Sequence, residues 1–206
     1  MEPFDRTRHW EKIYRTKNLE EVSWYQRDPA TSLGFIDAFA VPLDARIIDV
    51  GGGDSFFVDR LLDRGYRRVT VLDISAAAIE RARRRLGDRA DAVNWIVADA
   101  ADFRPPEQYD FWHDRAAFHF LTDEGDIENY LASARAGLAP GGVLVIGTFS
   151  EQGPEKCSGI RIRQYSEASM ARRLEEHFEK IRCITVDHQT PFDTVQNFVF
   201  CSFRRP

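Results

Sequence analysis

The segment with the strongest chemical signature in this chain is Ile48-Asp49-Val50-Gly51-Gly52-Gly53-Asp54-Ser55-Phe56. An apolar run leads into it and a helical pattern leads out. Glycines let the backbone turn tightly and approach a ligand closely, and free amides at a helix start attract an anionic or polar group. Asp73 lies 22 residues beyond Gly51, at the tip of the next apolar run. A carboxylate at that place can accept hydrogen bonds from ribose hydroxyls. A dinucleotide would need glycine at the sixth position of the loop. Phe56 stands there instead, which counts against NAD or FAD. Asp49, two residues before the first glycine, suits a ligand with a positive centre and an amino group better than a diphosphate.

A second set of residues could handle protons or a substrate. His113 and Asp114 close the fourth apolar run, Cys157 lies in a Gly/Pro-rich loop, and His188 lies in a turn with Thr190 and Pro191. Histidine is suited to acid–base work near neutral pH, so His113, Asp114, His188 and Cys157 are the candidate catalytic residues. His119 sits among Phe118, Phe120 and Leu121 and reads as a packed core histidine. Cys183 and Cys201 fall within strand patterns and read as small core residues. The Arg81–Arg85 run shares a helix with Ile79 and Leu86 and reads as a solvated face.

These residues need a scaffold, and the pattern supplies one. Apolar spacing predicts helices over 6–17 (Trp10, Ile13 and Tyr14 on one face), 30–40, 57–64, a stretch around 79–86, 127–138 and 167–178. Strands are expected at 46–50, 69–72, 93–97, around 111–112 and at 143–149, with Pro140-Gly141-Gly142 as a break before the last. Strict βαβα alternation with continuous apolar strands implies a parallel sheet covered on both faces. The runs 181–187 and 196–203 are joined only by a turn, so they must pair antiparallel. Ligands in such sheets bind beyond the carboxyl ends of the strands. The loops after strands four, five and six therefore share one face, and Cys157, His113, His119 and His188 can converge there.

Composition narrows the class. The chain has 206 residues, 43% hydrophobic and 30% charged, an ordinary globular balance. A net charge of −5 opposes general nucleic-acid binding, which needs surplus Lys and Arg. No apolar run is long enough to span a bilayer. Three cysteines at wide spacing make neither a disulfide framework nor a zinc pattern. The expectation is a reduced, cytoplasmic enzyme, a monomer or weak homodimer, with no metal, nucleic-acid or membrane partner.

The motifs resemble those of the class I S-adenosylmethionine-dependent methyltransferases. Asp49-Val-Gly51-Gly-Gly53-Asp-Ser55 looks like their first motif, with Ser55 in place of the last glycine. Val71-Leu-Asp73-Ile-Ser75 looks like the second and Val97-Ala-Asp99-Ala100 the third. The resemblance implies a Rossmann-like doubly wound sheet of order 3-2-1-4-5-7-6 with strand seven antiparallel. It also implies S-adenosylmethionine as cofactor. Gly51 and Gly53 would pass under its methionine part, near Asp49. Asp73 would bind the ribose, Ile74 the adenine face, and Asp99 and Ala100 the adenine edge, with Trp112 and the end of strand four bordering the methyl group. The openings 9–14 and 22–25, with Trp112–Ala116 and Gly153–Gly159, resemble a small bacterial methyltransferase group. Residues 1–43 are expected to form a helical cap over the active site and 44–206 the methyltransferase domain. Trp10, Trp24 and Tyr25 are either a lid over the cofactor or simple packing. The expected acceptor is a small molecule, such as a thiol, a chalcogen or metalloid species, or a metabolite. The alternatives are a protein lysine, with Asp123, Glu124, Asp126 and Glu128 as an acidic rim, or a non-catalytic cofactor-binding protein.

Overall fold

The computed structural model describes residues 4–206. Chain order is α1 (Arg6–Thr16), α2 (Ala30–Ala38), β1 (Arg46–Val50), α3 (Phe57–Asp63), β2 (Arg68–Asp73), α4 (Ala76–Leu86), β3 (Val93–Val97) and β4 (Tyr109–Arg115). Then follow α5 (Glu124–Gly137), β5 (Leu138–Phe149), a small hairpin of β6 (Lys156–Cys157) and β7 (Ile160–Arg161), α6 (Glu167–Leu174), β8 (Glu179–Gln189) and β9 (Val195–Arg204). Seven strands form one sheet in the order β3-β2-β1-β4-β5-β9-β8. The first five are parallel, and β9 runs antiparallel to both β5 and β8. With β8 and β9 as the sixth and seventh sheet strands, this is the expected topology.

Period-two alternation sorts the strand residues between two apolar layers. Ile48, Leu72, Trp112, Leu144 and Ile146 face one layer with α5 and α6. Ile47, Val71, Phe111, Val143 and Val145 face the other with α2 and α3. Within the expected cap, Leu33, Phe35 and Ile36 of α2 are core residues of the second layer, while Arg6, Trp10, Tyr14 and Trp24 line the ligand side.

Three boundaries differ from the periodicity. Residues 140–142 remain within β5, because Gly141 N–H donates to the Arg205 carbonyl at 2.8 Å and Arg205 N–H donates to the Gly142 carbonyl at 2.9 Å. Helix α6 ends at Leu174, and a final turn carries Phe178 into the core. The closing strands are longer than their apolar runs.

Cys183 and Cys201 are a disulfide rather than two separate core thiols. The β8–β9 register sets them directly opposite each other, 4.1 Å apart at Cα, the close spacing of a facing antiparallel pair. They lie 18 positions apart in sequence, so only the hairpin register reveals the pairing. Cys157 is the free cysteine, and the odd count no longer argues for a fully reduced chain.

Candidate active site

The glycine loop joins β1 to α3 at the carboxyl edge of the sheet. Gly51 has φ +67°, and a Cβ there would meet the Ala117 methyl at 2.5 Å. Gly53 has φ +42°, and a Cβ would come within 2.7 Å of Asp73 Oδ2 and 3.0 Å of the Tyr14 hydroxyl. Both positions therefore need glycine for conformation and for space. Ser55, the departure from the glycine pattern, uses its hydroxyl to accept from Phe57 N–H at 3.1 Å at the start of α3.

Asp73 ends β2 and is buried. Its Oδ1 accepts from Ser75 N–H at 2.8 Å, while Oδ2 takes no hydrogen bond from the described residues and faces the loop. Burial, with Asp49, Glu11 and Asp54 nearby, pushes this carboxyl up to about 7. Asp99 accepts from Ala101 N–H at 2.9 Å and pairs with Arg6 at 2.8 Å. The adenine edge expected at Asp99 is thus shared with α1. Arg6 also holds Asp126 at 2.6 Å.

The arginine run on α4 is not a uniform solvated face. Arg81 and Arg85 turn inward to the buried Asp54, Arg85 also binds Asp59 at 2.8 Å, and Arg81 donates to the Tyr14 and Lys17 carbonyls. They fasten the glycine loop and α1 to α4, while Arg83 and Arg84 remain outside. Spacing of i, i+4 places 81 and 85 on one face.

The end of β4 corrects three of the expected roles. Trp112 is fully buried on the α5 face, its Nε1–H 3.2 Å from the Tyr130 hydroxyl, and it is not among the cavity walls. Asp114 shares that face. Its Oδ1 accepts from Ala117 and Phe118 N–H, its Oδ2 accepts from the Tyr130 hydroxyl at 2.8 Å, and burial raises it to about 6. It shapes the loop after β4 and has no free atom for substrate. His113 points the other way. Its Nδ1 is 2.7 Å from Asp49 Oδ1 and its Nε2 is 2.8 Å from Ser32 Oγ. A carboxylate can only accept, so Nδ1 carries the proton and Nε2 accepts from Ser32. With both nitrogens occupied, His113 orients Asp49 beside Gly52 of the glycine loop. Parallel register makes this inevitable, since Asp49 and His113 are facing partners on β1 and β4.

His188 is also committed. Its Nε2–H donates to the Ser23 carbonyl at 2.7 Å, and its Nδ1 accepts from Gln26 at 3.2 Å. It fastens the 23–26 segment to β8 and lies outside the central cavity. His119 is fully buried. Its Nδ1 accepts from Phe149 N–H at 3.2 Å, and burial and the Arg115 charge pull it down to about 3. Cys157 does line the cavity, but burial pushes its thiol up to about 11, so it is a neutral wall rather than a nucleophile.

A cavity lies at the carboxyl edge of the sheet. It begins at Asp73, Ile74, Asp99 and Ala100, passes Gly51, and ends among Trp10, Trp24, Phe120, Phe149 and Phe198, with Arg115 and Cys157. Trp10 packs edge-on against Trp24 and Phe120, so both tryptophans form walls. Tyr25 packs against Phe56 in the adjoining cleft beside Asp49. Arg115 had no expected role. The signal was present, because period two places it on the face of His113 at the strand end.

The comparisons agree with this geometry. Residues 47–142 match the family described as a methyltransferase domain. A malonyl-[acyl-carrier protein] O-methyltransferase of Ilyobacter polytropus is 33% identical over 107 residues, 52% of this chain and 38% of that one. An N-terminal Xaa-Pro-Lys N-methyltransferase of Danio rerio is 33% identical over 101 residues, 48% of this chain and 45% of that one. The chain thus matches less than half the length of these curated relatives. The crystal structure of the N-methyltransferase NodS from Bradyrhizobium japonicum, in complex with S-adenosylhomocysteine, shares the fold with a TM-score of 0.73. It is 20% identical, and the match covers 98% of this chain and all of that one. Residues 47–142 thus carry a methyltransferase domain, and the solved structure shares its fold. The residues fit S-adenosylmethionine as cofactor. Asp73 Oδ2 takes no hydrogen bond from the described residues and is open to a donor beside the glycine loop.

Proposed function

We propose that the protein methylates a small molecule held in the aromatic end of the cavity, using S-adenosylmethionine bound along the glycine loop. The observation that carries this reading is the cavity itself, which runs from Asp73 and Asp99 to aromatic walls with residues 6–24 over it. S-adenosylmethionine supplies an electrophilic methyl carbon. The chain's own work is positional. Asp73, Ile74, Asp99 and Ala100 hold the nucleoside end, and Gly51, Gly53 and Asp49 the methionine end, with Asp49 kept in place by His113. Trp10, Trp24, Phe120, Phe149 and Phe198 exclude water and press the acceptor toward the methyl group, which is how orientation lowers such a barrier. No histidine or cysteine near the cavity stands ready as a base, because His113, His119 and His188 are engaged or neutral and Cys157 is a thiol.

A protein-lysine acceptor has less support. The acidic rim is largely neutralised: Glu124 pairs with Arg163 and Arg173, and Asp126 with Arg6. Asp123 caps α5 through Gly125 N–H. Methyl-labelled S-adenosylmethionine, incubated with the protein and a cell lysate that is then split by size, tests the reading. Label should enter the small-molecule fraction. Label confined to a protein band would favour the lysine reading, and calorimetry showing no cofactor binding would favour a non-catalytic protein.

A further inference from the structure

The aromatic end of the cavity contains one cation with incomplete bonding. Arg115 ends β4 and lines the cavity. Its Nη1–H donates to the Trp24 carbonyl at 3.0 Å, and its guanidinium lies 5.2 Å over the Phe198 ring. Its Nη2 is buried without a hydrogen-bond partner among the described residues. Burial pulls the guanidinium down to about 10, which leaves it charged at neutral pH. The buried negative charge it senses most is Asp49, and Asp49 already accepts from His113. A desolvated cation with an open donor is costly unless an anion completes it.

Sheet order sets that donor apart from the nucleoside residues, though Arg115 also borders the cleft beside Asp49 and Gly51. Asp73 and Asp99 follow β2 and β3, on one side of β1. Arg115, Phe149 and Phe198 belong to β4, β5 and β9, on the other. The guanidinium therefore stands at the end of the cavity away from the nucleoside residues, stacked on an aromatic wall.

We propose that Arg115 recognises the methyl acceptor, and that the acceptor is a small anion with an apolar, flat body. This deepens the methyltransferase reading and rests on it. In the transfer, a lone pair of the acceptor anion forms the new bond to the methyl carbon. The carbon–sulfur bond breaks, and its electron pair stays on sulfur. The positive charge of the sulfonium and the negative charge of the acceptor cancel, and no proton moves. That balance needs no base among the aromatic walls. A charge-assisted contact from the open Nη2 keeps an acid ionised, and a water-poor chamber strengthens the contact.

Calorimetry on the full chain saturated with S-adenosylhomocysteine tests this, with benzoate and benzamide as probes of one shape and different charge. Benzoate should bind at least tenfold more tightly than benzamide. Arg115→Met should lose that preference, and Arg115→Lys should retain most of it, with S-adenosylhomocysteine affinity within threefold throughout. Equal binding of the two probes, or no benzoate binding, overturns the proposal without any variant. A tenfold loss of S-adenosylhomocysteine affinity in Arg115→Met, with benzoate binding intact, would assign the guanidinium to the cofactor's own carboxylate and also overturns it. Failure of the wild-type protein to bind S-adenosylhomocysteine is seen before any benzoate is added, and counts against the methyltransferase reading itself. Circular dichroism of each variant separates lost recognition from lost folding, and Arg115→Lys keeps the comparison available if the Met variant does not fold.

Discussion

Replacing Asp73 by Asn should make the ligand-free protein more stable and a poorer cofactor binder. The carboxyl is buried near Asp49, Glu11 and Asp54 and is pushed up to about 7, against about 3.9 in an unfolded chain. The folded state thus holds the proton more tightly than the unfolded state. Between these two values the folded chain carries one more proton, so stability falls as pH rises. A shift of about 3 units at 1.36 kcal/mol each amounts to about 4 kcal/mol, absent below pH 4 and complete above pH 7. Asn keeps the acceptor for Ser75 N–H and carries no charge, so it removes this cost. The two ribose hydroxyls would lose a charged acceptor, at about 1.5 kcal/mol per hydrogen bond, or about 150-fold in affinity. Urea unfolding of both proteins at steps from pH 4 to 8.5, without ligand, gives the difference, and titrating groups remote from Asp73 cancel. Calorimetry with S-adenosylhomocysteine at pH 8 gives the second quantity. A stability difference that does not change with pH would refute the buried-carboxylate argument. Unchanged affinity would refute the ribose role.

Three further outcomes follow from the same geometry. His113→Ala leaves the buried Asp49 and Ser32 without their partner, and should cost about 3 kcal/mol in urea unfolding and weaken S-adenosylhomocysteine binding; a fall in kcat with unchanged cofactor affinity would show a direct catalytic role instead. Cys157 should alkylate slowly with iodoacetamide, about 0.1% thiolate at pH 8 for a thiol near 11, with the rate rising about tenfold per pH unit up to pH 10; fast modification at pH 7 would contradict a neutral thiol. Thiol titration in denaturant should find one free thiol before reduction and three after. Replacing Cys183 and Cys201 by Ala should lower stability by about 3 kcal/mol, the loop-closure value for a cross-link of this span, and an unchanged midpoint would contradict a stabilising cross-link.

How far these residues were legible in the sequence depended on the range of the interaction that placed them. Apolar periodicity, glycine spacing and the short β8–β9 turn are local signals. They determined the alternating elements and the parallel sheet with its antiparallel end, and they put Gly51, Gly53 and Asp73 at its carboxyl edge. The roles of the charged side chains were decided by register and layer packing between distant segments. His113 and Asp114 are neighbours in sequence, yet the pleat sends them to opposite faces, one to Asp49 and Ser32 and the other to Tyr130. His188 faces the N-terminal segment only because β8 runs beside it. Cys183 meets Cys201 only through the hairpin register. Arg115 becomes a buried cation only when Trp24 and Phe198, 91 and 83 residues away along the chain, close around it. Composition and spacing report which groups a chain carries and which local turns it can make. Whether each group is free, paired or buried is a property of its three-dimensional neighbours, and in this protein that distinction separates the residues that can meet a substrate from those that hold the site in shape.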